Sequence, residues 1–259
     1  MKIHILILYT SLLCLIPRLL HAQELKSFSG KVKNGYNFWL YTPEGYTADK
    51  QTPVIIFLHG KSLCGNNLKR VRTYGTIHAI DKGRMIPAIV LAPQNPGGSW
   101  NPHKIMNCLK WVEDNYAVDT NRVYTIGISL GGYGTLDFIG TYPDKIAAAV
   151  ELCGGTTLKD FSGLSQVPLW IFHGTADRAV PISASQRVCD GISSLGQPQR
   201  LIFTKLSGYN HGAPARILYL KETYDWLLEH SLTDEGRPVN RNYDISPNGI
   251  RNAYKDLHR

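Results

Sequence analysis

Val123-Tyr124-Thr125-Ile126-Gly127-Ile128-Ser129-Leu130-Gly131-Gly132 is the stretch on which the reading of this chain turns. Its first four residues, β-branched and aromatic, favour a strand, and residues 133–142 beyond the glycines read as a helix. A serine between glycines at such a join occupies a sharp turn, because a Cβ at the flanking positions collides with neighbouring backbone. The turn aims the hydroxyl off the carboxyl edge of a sheet. It also sets the oxygen near a helix N-terminus, where developing negative charge is stabilised. Ser129 is therefore the candidate nucleophile.

On either side of this stretch, residues 54–58, 88–91, 147–152, 169–172 and 201–203 form further continuous apolar runs, as expected of strands buried on both faces. Residues 28–32 and 36–41, about an Asn34-Gly35 turn, suggest an antiparallel ribbon at the edge. Between the runs lie helices. The clearest opens at Asn101-Pro102, a cap followed by a proline in the first turn, and carries Ile105, Met106, Leu109 and Val112 at helical spacing. A last helix over 216–229 presents Ile217, Leu218, Leu220, Tyr224, Trp226 and Leu227. Strands alternating with helices define an α/β fold: a mostly parallel central sheet with helices on both faces.

A serine hydroxyl needs a base within hydrogen-bond reach, and the base needs an orienting carboxylate. The run 169–172 is followed by His173-Gly174-Thr175-Ala176-Asp177, which puts Asp177 in a loop at a strand's carboxyl end. The run 201–203 is followed by Tyr209-Asn210-His211-Gly212, ahead of the last helix. Ser129, Asp177 and His211 thus occur in the order that a nucleophile turn of this kind requires. Their expected roles are nucleophile, orienting acid and general base. His59 and His173 are the competing histidines, each in a His-Gly pair that more readily fixes a loop. Asp160, in a connecting loop, and Asp190, in a helical stretch, are the competing acids. For the oxyanion, the expected donors are the backbone N–H groups of Leu130, after the serine, and Lys61, at the end of Phe57-Leu58-His59-Gly60-Lys61.

The segments Leu58-His59-Gly60, Ala92-Pro93-Gln94 with Trp100, Gly127 to Gly134, Phe172-His173-Gly174 with Asp177, and His211 resemble the secreted esterases grouped with the phospholipase/carboxylesterase and feruloyl or acetyl xylan esterase families. Some relatives of that group are labelled peptidases. The resemblance spans roughly residues 35 to 230. It implies the α/β-hydrolase fold, the roles given above, and Gln94 and Trp100 near the cleft. Lys61 stands where those families often carry a small residue. The short stretch between Gly155 and Val167 leaves no room for the helical lid that many relatives insert there.

The activity implied is hydrolysis of carboxylic esters through an acyl-enzyme, with no metal or cofactor, on acetyl or feruloyl esters of plant polysaccharide or related small esters. Two other readings stay open: a peptidase of the prolyl oligopeptidase type, and a carbohydrate-binding or surface protein whose hydrolase site is a relic.

Composition agrees with one catalytic domain. The 259 residues are 43% hydrophobic, enough for a sizeable core. Met1-Lys2 precedes a nearly continuous apolar stretch from Ile3 to Leu20, ending Leu20-His21-Ala22. This reads as an export signal cleaved after about Ala22, since Pro17 and Arg18 interrupt the run and leave it short of a bilayer span. Cys14 would suit lipidation only with a smaller residue than Leu13 before it. The expected division is a signal at 1–22, a catalytic domain at 23–230 and a polar extension at 231–259.

An exported chain is expected to be periplasmic or secreted, without stable membrane insertion. The formal charge is +8; removing Lys2 and Arg18 with the signal leaves +6, and no aromatic-laced basic cluster suggests nucleic acid. Cys64, Cys108, Cys153 and Cys189 remain, which an oxidising compartment would allow to pair in three ways or leave as buried thiols.

Overall fold

The computed structural model describes residues 22–258; residues 1–21 of the expected export signal, with Cys14, lie outside them. Eight strands form one sheet in the order β1-β2-β4-β3-β5-β6-β7-β8. They are β1 (Glu24–Phe28), β2 (Asn37–Thr42), β3 (Thr52–Leu58), β4 (Ile89–Gln94), β5 (Val118–Ile128), β6 (Ala148–Leu152), β7 (Leu169–Gly174) and β8 (Leu201–Leu206). The β1–β2 and β2–β4 pairings are antiparallel and the rest are parallel.

The apolar runs are continuous because both faces are covered. Along β3, Ile55 and Phe57 face one core while Val54, Ile56 and Leu58 face the other. The second core is roofed by α2 (Pro102–Asn115), α3 (Leu130–Thr141) and α4 (Ser183–Ser194), through Leu109, Leu136, Phe138 and Val188. The first is covered by α1 (Thr76–Asp81), a 3-10 stretch at Ala213–Tyr219 and α5 (Lys221–Leu228), through Ile77, Ile217 and Trp226.

Two elements differ from the sequence expectation. The first strand begins at Glu24, and Asn34-Gly35 turns within a longer loop, where Gly35 N donates to Val32 O at 3.1 Å. Pairing Phe28 with Phe38 brings those rings to 5.2 Å, beside Trp111 at 4.9 Å from Phe28. That aromatic contact sets the register, over the local turn signal. The last helix is broken at Leu220, which is extended at φ −81°, ψ 136°. The carbonyls freed there are used: Thr223 Oγ1 donates to Ile217 O at 2.8 Å and Tyr224 OH to Leu218 O.

After residue 230 the chain continues into the packing. Val239, Ile245, Ile250, Ala253 and Leu257 are buried in the same core as Trp226, with a short α6 (Pro247–Arg251) among them. Trp226 Nε1 donates to Asn240 O at 2.9 Å. The polar look of this segment in sequence comes from its widely spaced apolar anchors. Among the described residues no helix is long and apolar enough to cross a membrane.

Candidate active site

Ser129, Asp177 and His211 reach the carboxyl end of the sheet from three different strands, β5, β7 and β8. β5 is flanked by β3 and β6 near the middle of the sheet, where successive connections leave in opposite directions. That reversal opens a crevice beyond the strand ends.

Ser129 takes φ 57°, ψ −117°, a backbone state costing on the order of 1–3 kcal/mol for a residue with a side chain. The turn is held by its surroundings. Ser129 N donates to Leu152 O at 2.8 Å, and Tyr133 N closes the first turn of α3 onto Ser129 O at 3.0 Å. The glycines are dictated by close approach. A Cβ at Gly127 would lie 2.2 Å from Gly131 O, and one at Gly131 would lie 1.8 Å from Leu58 O.

His211 Nε2 lies 2.8 Å from Ser129 Oγ, and its Nδ1 lies 2.6 Å from Asp177 Oδ2. Facing a carboxylate, Nδ1 carries the ring proton, so Nε2 is free to accept from the serine hydroxyl. The Asp177 side chain is fully buried, and its Oδ1 accepts from Ala179 N at 2.8 Å and Val180 N at 2.9 Å. Burial opposes its ionisation, but the hydrogen bonds from His211 and these two amides outweigh it and hold the carboxyl below its ordinary value.

These groups open onto a cleft of about 670 Å³ whose walls include Lys61, Tyr74, Ser129, Leu130, Tyr133 and His211. Leu130 begins α3 and Lys61 begins a 3-10 turn at Lys61–Leu63, so both expected oxyanion donors belong to backbone bordering the serine. Tyr74 OH accepts from Gly60 N at 3.0 Å and so holds the end of β3 at the cleft. Between β6 and β7 the described chain holds only a 3-10 turn, Leu164–Gln166, with no helical lid.

The rival residues have structural duties. His59 is buried, its Nε2 accepts from Asn95 N at 3.1 Å and its Nδ1 faces Gly60 O at 2.8 Å. Burial lowers its pKa to about 4, leaving it neutral. His173 is buried behind the acid loop and contacts Val180 O at 2.9 Å. Asp160 accepts from Ser162 within its own loop, and Asp190 from Gln186 one turn earlier on α4.

Gln94 and Trp100 are not among the described residues lining the cleft. Gln94 Nε2 donates to Leu63 O and Asn67 O, and Trp100 Nε1 to His59 O at 3.3 Å, so both anchor the segment after β3. All four described cysteines are free thiols, three of them buried.

One trio of potential metal donors comes together among the described residues: Cys153, Asp177 and His211, with ligand atoms within 4.8 Å. It does not fit a metal. Burial drives the Cys153 thiol far above its ordinary value, and Asp177 and His211 are committed to each other. Sequence reasoning did not single out Glu151, fully buried on β6, or Ser185, buried on α4. A lone glutamate within the apolar run 147–152 was the available signal.

No family model matches the chain. Acetylxylan esterase A of Aspergillus ficuum is 24% identical over 164 residues, covering 57% of this chain and 52% of that protein. Feruloyl esterase B of Thermothelomyces thermophilus is 26% identical over 193 residues, covering 68% and 58%. The chain thus spans little more than half the length of these relatives. The crystal structure of a thermostable esterase superposes with a TM-score of 0.67 at 25% identity, covering 80% of this chain and 63% of that one. Sheet order, strand-end loops and this likeness agree, and the chain has the α/β-hydrolase fold.

Proposed function

We propose that this chain is a serine hydrolase that cleaves carboxylic esters, with Ser129 as nucleophile, His211 as general base and Asp177 as the acid that orients it. The observation that carries the reading is the hydrogen-bonded row Ser129–His211–Asp177 at the wall of the cleft. His211 Nε2 takes the hydroxyl proton as Ser129 Oγ attacks the ester carbonyl, and the oxyanion forms against the N–H groups of Leu130 and Lys61. Collapse expels the alcohol, which receives the proton from His211. Water, deprotonated by the same nitrogen, then releases the acid from the acyl-enzyme.

The substrates we propose are acetyl or feruloyl esters on plant polysaccharide, or small esters of those acids. Relatives named for acetylxylan and feruloyl esterase activity support this, as does a β6–β7 connection without a lid, which leaves space for an acyl group on a bulky chain. Action on such polymers requires export, the role proposed for residues 1–22.

The test is hydrolysis by the purified protein of acetylated and feruloylated xylan, short p-nitrophenyl esters and peptide p-nitroanilides. Release of acetate or ferulate is expected. Ser129→Ala is expected to lower turnover by a factor on the order of 10⁴ or more with little change in Tm. Cleavage of the anilides alone would point to a peptidase, and a Ser129 inert to a fluorophosphonate probe would point to a relic site.

A further inference from the structure

Behind the acid loop lies a buried carboxyl group that the chemistry above leaves unused. Glu151 is fully enclosed; one oxygen, Oε1, accepts from Gly154 N, and the other, Oε2, lies 3.2 Å from Ser185 Oγ. Ser185, also fully buried, stands 2.8 Å from His173 Nδ1 and 3.2 Å from Gly154 O. His173 Nε2 is 2.9 Å from Val180 O and 3.3 Å from Asp177 Oδ2. The same Asp177 oxygen receives His211. A continuous row of contacts therefore runs from Glu151 through Ser185 and His173 to the acid that orients His211.

The direction of each hydrogen bond follows from the group at the far end. Val180 O and the Asp177 carboxylate only accept, so His173 Nε2 carries a hydrogen. A neutral imidazole has one N–H, so Nδ1 accepts, and its donor is the Ser185 hydroxyl. That commits the single serine proton. Ser185 Oγ then accepts from Glu151, whose Oε2 must hold a proton. Moving that proton to His173 instead would create two charges among fully buried groups, which is costly. Independently, burial pushes the Glu151 carboxyl from 4.5 up to about 8. The titratable groups around it are Tyr133 on α3, Cys153 beyond β6 and Cys189 on α4, each held protonated by burial. Arg187 on α4 turns its guanidinium to Thr156 O and the Phe161 ring.

We propose that Glu151 is a protonated positioning residue that, through Ser185 and the tautomer of His173, holds Asp177 in place to meet His211. Loss of its proton turns Glu151 into an acceptor for the Ser185 hydroxyl. Nδ1 of His173 then loses its donor, and the tautomer that relieves it aims a bare Nε2 lone pair at Val180 O and Asp177. The inference rests on the proposed roles of Ser129, His211 and Asp177.

The test compares Glu151→Gln, Glu151→Ala and Ser185→Ala in the full chain. A glutamine offers a carbonyl to Gly154 N and an N–H to Ser185, so E151Q is expected to keep kcat within about threefold at neutral pH. E151A and S185A are expected to lower kcat about thirtyfold with KM nearly unchanged. Wild-type kcat is expected to fall on the alkaline side, above about pH 8, while that of E151Q stays level. Between about pH 4.5 and 8 the folded protein binds a proton that the unfolded chain has lost, so wild-type Tm is expected to drop as pH rises while E151Q does not share the drop.

A folded E151Q as slow as E151A would overturn the proposal, indicating an ionised Glu151 paired with a charged His173. So would equal pH dependence of Tm in wild type and E151Q. Should E151A fail to fold, E151Q and S185A decide the matter. If Ser129→Ala retained activity, the proposed roles at the cleft would fail, while the Tm comparison would still report on the Glu151 proton.

Discussion

At the scale of single residues, the site is built on backbone contacts too close for side chains. Ser129 is held at positive φ by backbone hydrogen bonds to Leu152 O and from Tyr133 N, and the chain at Gly127 and Gly131 passes against neighbouring carbonyls. Gly131→Ala would push a methyl to 1.8 Å from Leu58 O, so β3 and α3 would have to separate. Destabilisation of about 4 kcal/mol or more is expected, measurable by urea unfolding, together with loss of the proposed ester hydrolysis. A G131A variant with the wild-type midpoint would contradict this packing. Ser129 was legible in the sequence because the whole turn is written within six residues. Glu151 was not, because its meaning depends on Ser185 and His173, which only the fold brings to it.

At the scale of elements, local signals were decisive wherever no stronger contact competed. Asn101 caps α2 as its residue type suggests, its Oδ1 accepting from His103 N at 2.9 Å and Lys104 N at 3.2 Å, with Pro102 in the first turn. Asn101→Ala is therefore expected to cost about 1 kcal/mol, while Asn101→Asp keeps the cap; chemical denaturation of the two variants checks this. The opening ribbon and the last helix went otherwise. The Asn34-Gly35 signal yielded to the stacking of Phe28 on Phe38 and Trp111, and the periodicity over 216–229 hid the break at Leu220. Hydrophobic spacing records which side chains are buried, and both a continuous helix and a 3-10 turn followed by a helix satisfy it.

At the scale of the molecule, the segment after residue 230 belongs to the core that supports the histidine loop. Ile250 is fully buried in the cluster that holds Ile217 and Trp226, and Tyr209 OH, two residues before His211, donates to Pro247 O at 3.1 Å. Ile250→Ala is expected to cost about 2–4 kcal/mol. Removal of residues 231–259 is expected to lower Tm further and to expose apolar surface, detectable by binding of a hydrophobic dye. A truncated protein melting like the full chain would show that this segment adds nothing to the core.

The sequence by itself determined the alternation of strand and helix, the turn at Ser129 and the order of the candidate site residues, because these depend on neighbours along the chain. The tertiary structure decided which histidine faces the serine, which acid faces that histidine, and what stands behind them. His59 and His211 follow strands and His173 lies at the end of one, and only the lateral order of those strands leaves one imidazole at 2.8 Å from the hydroxyl while packing fills the hydrogen-bonding capacity of the other two.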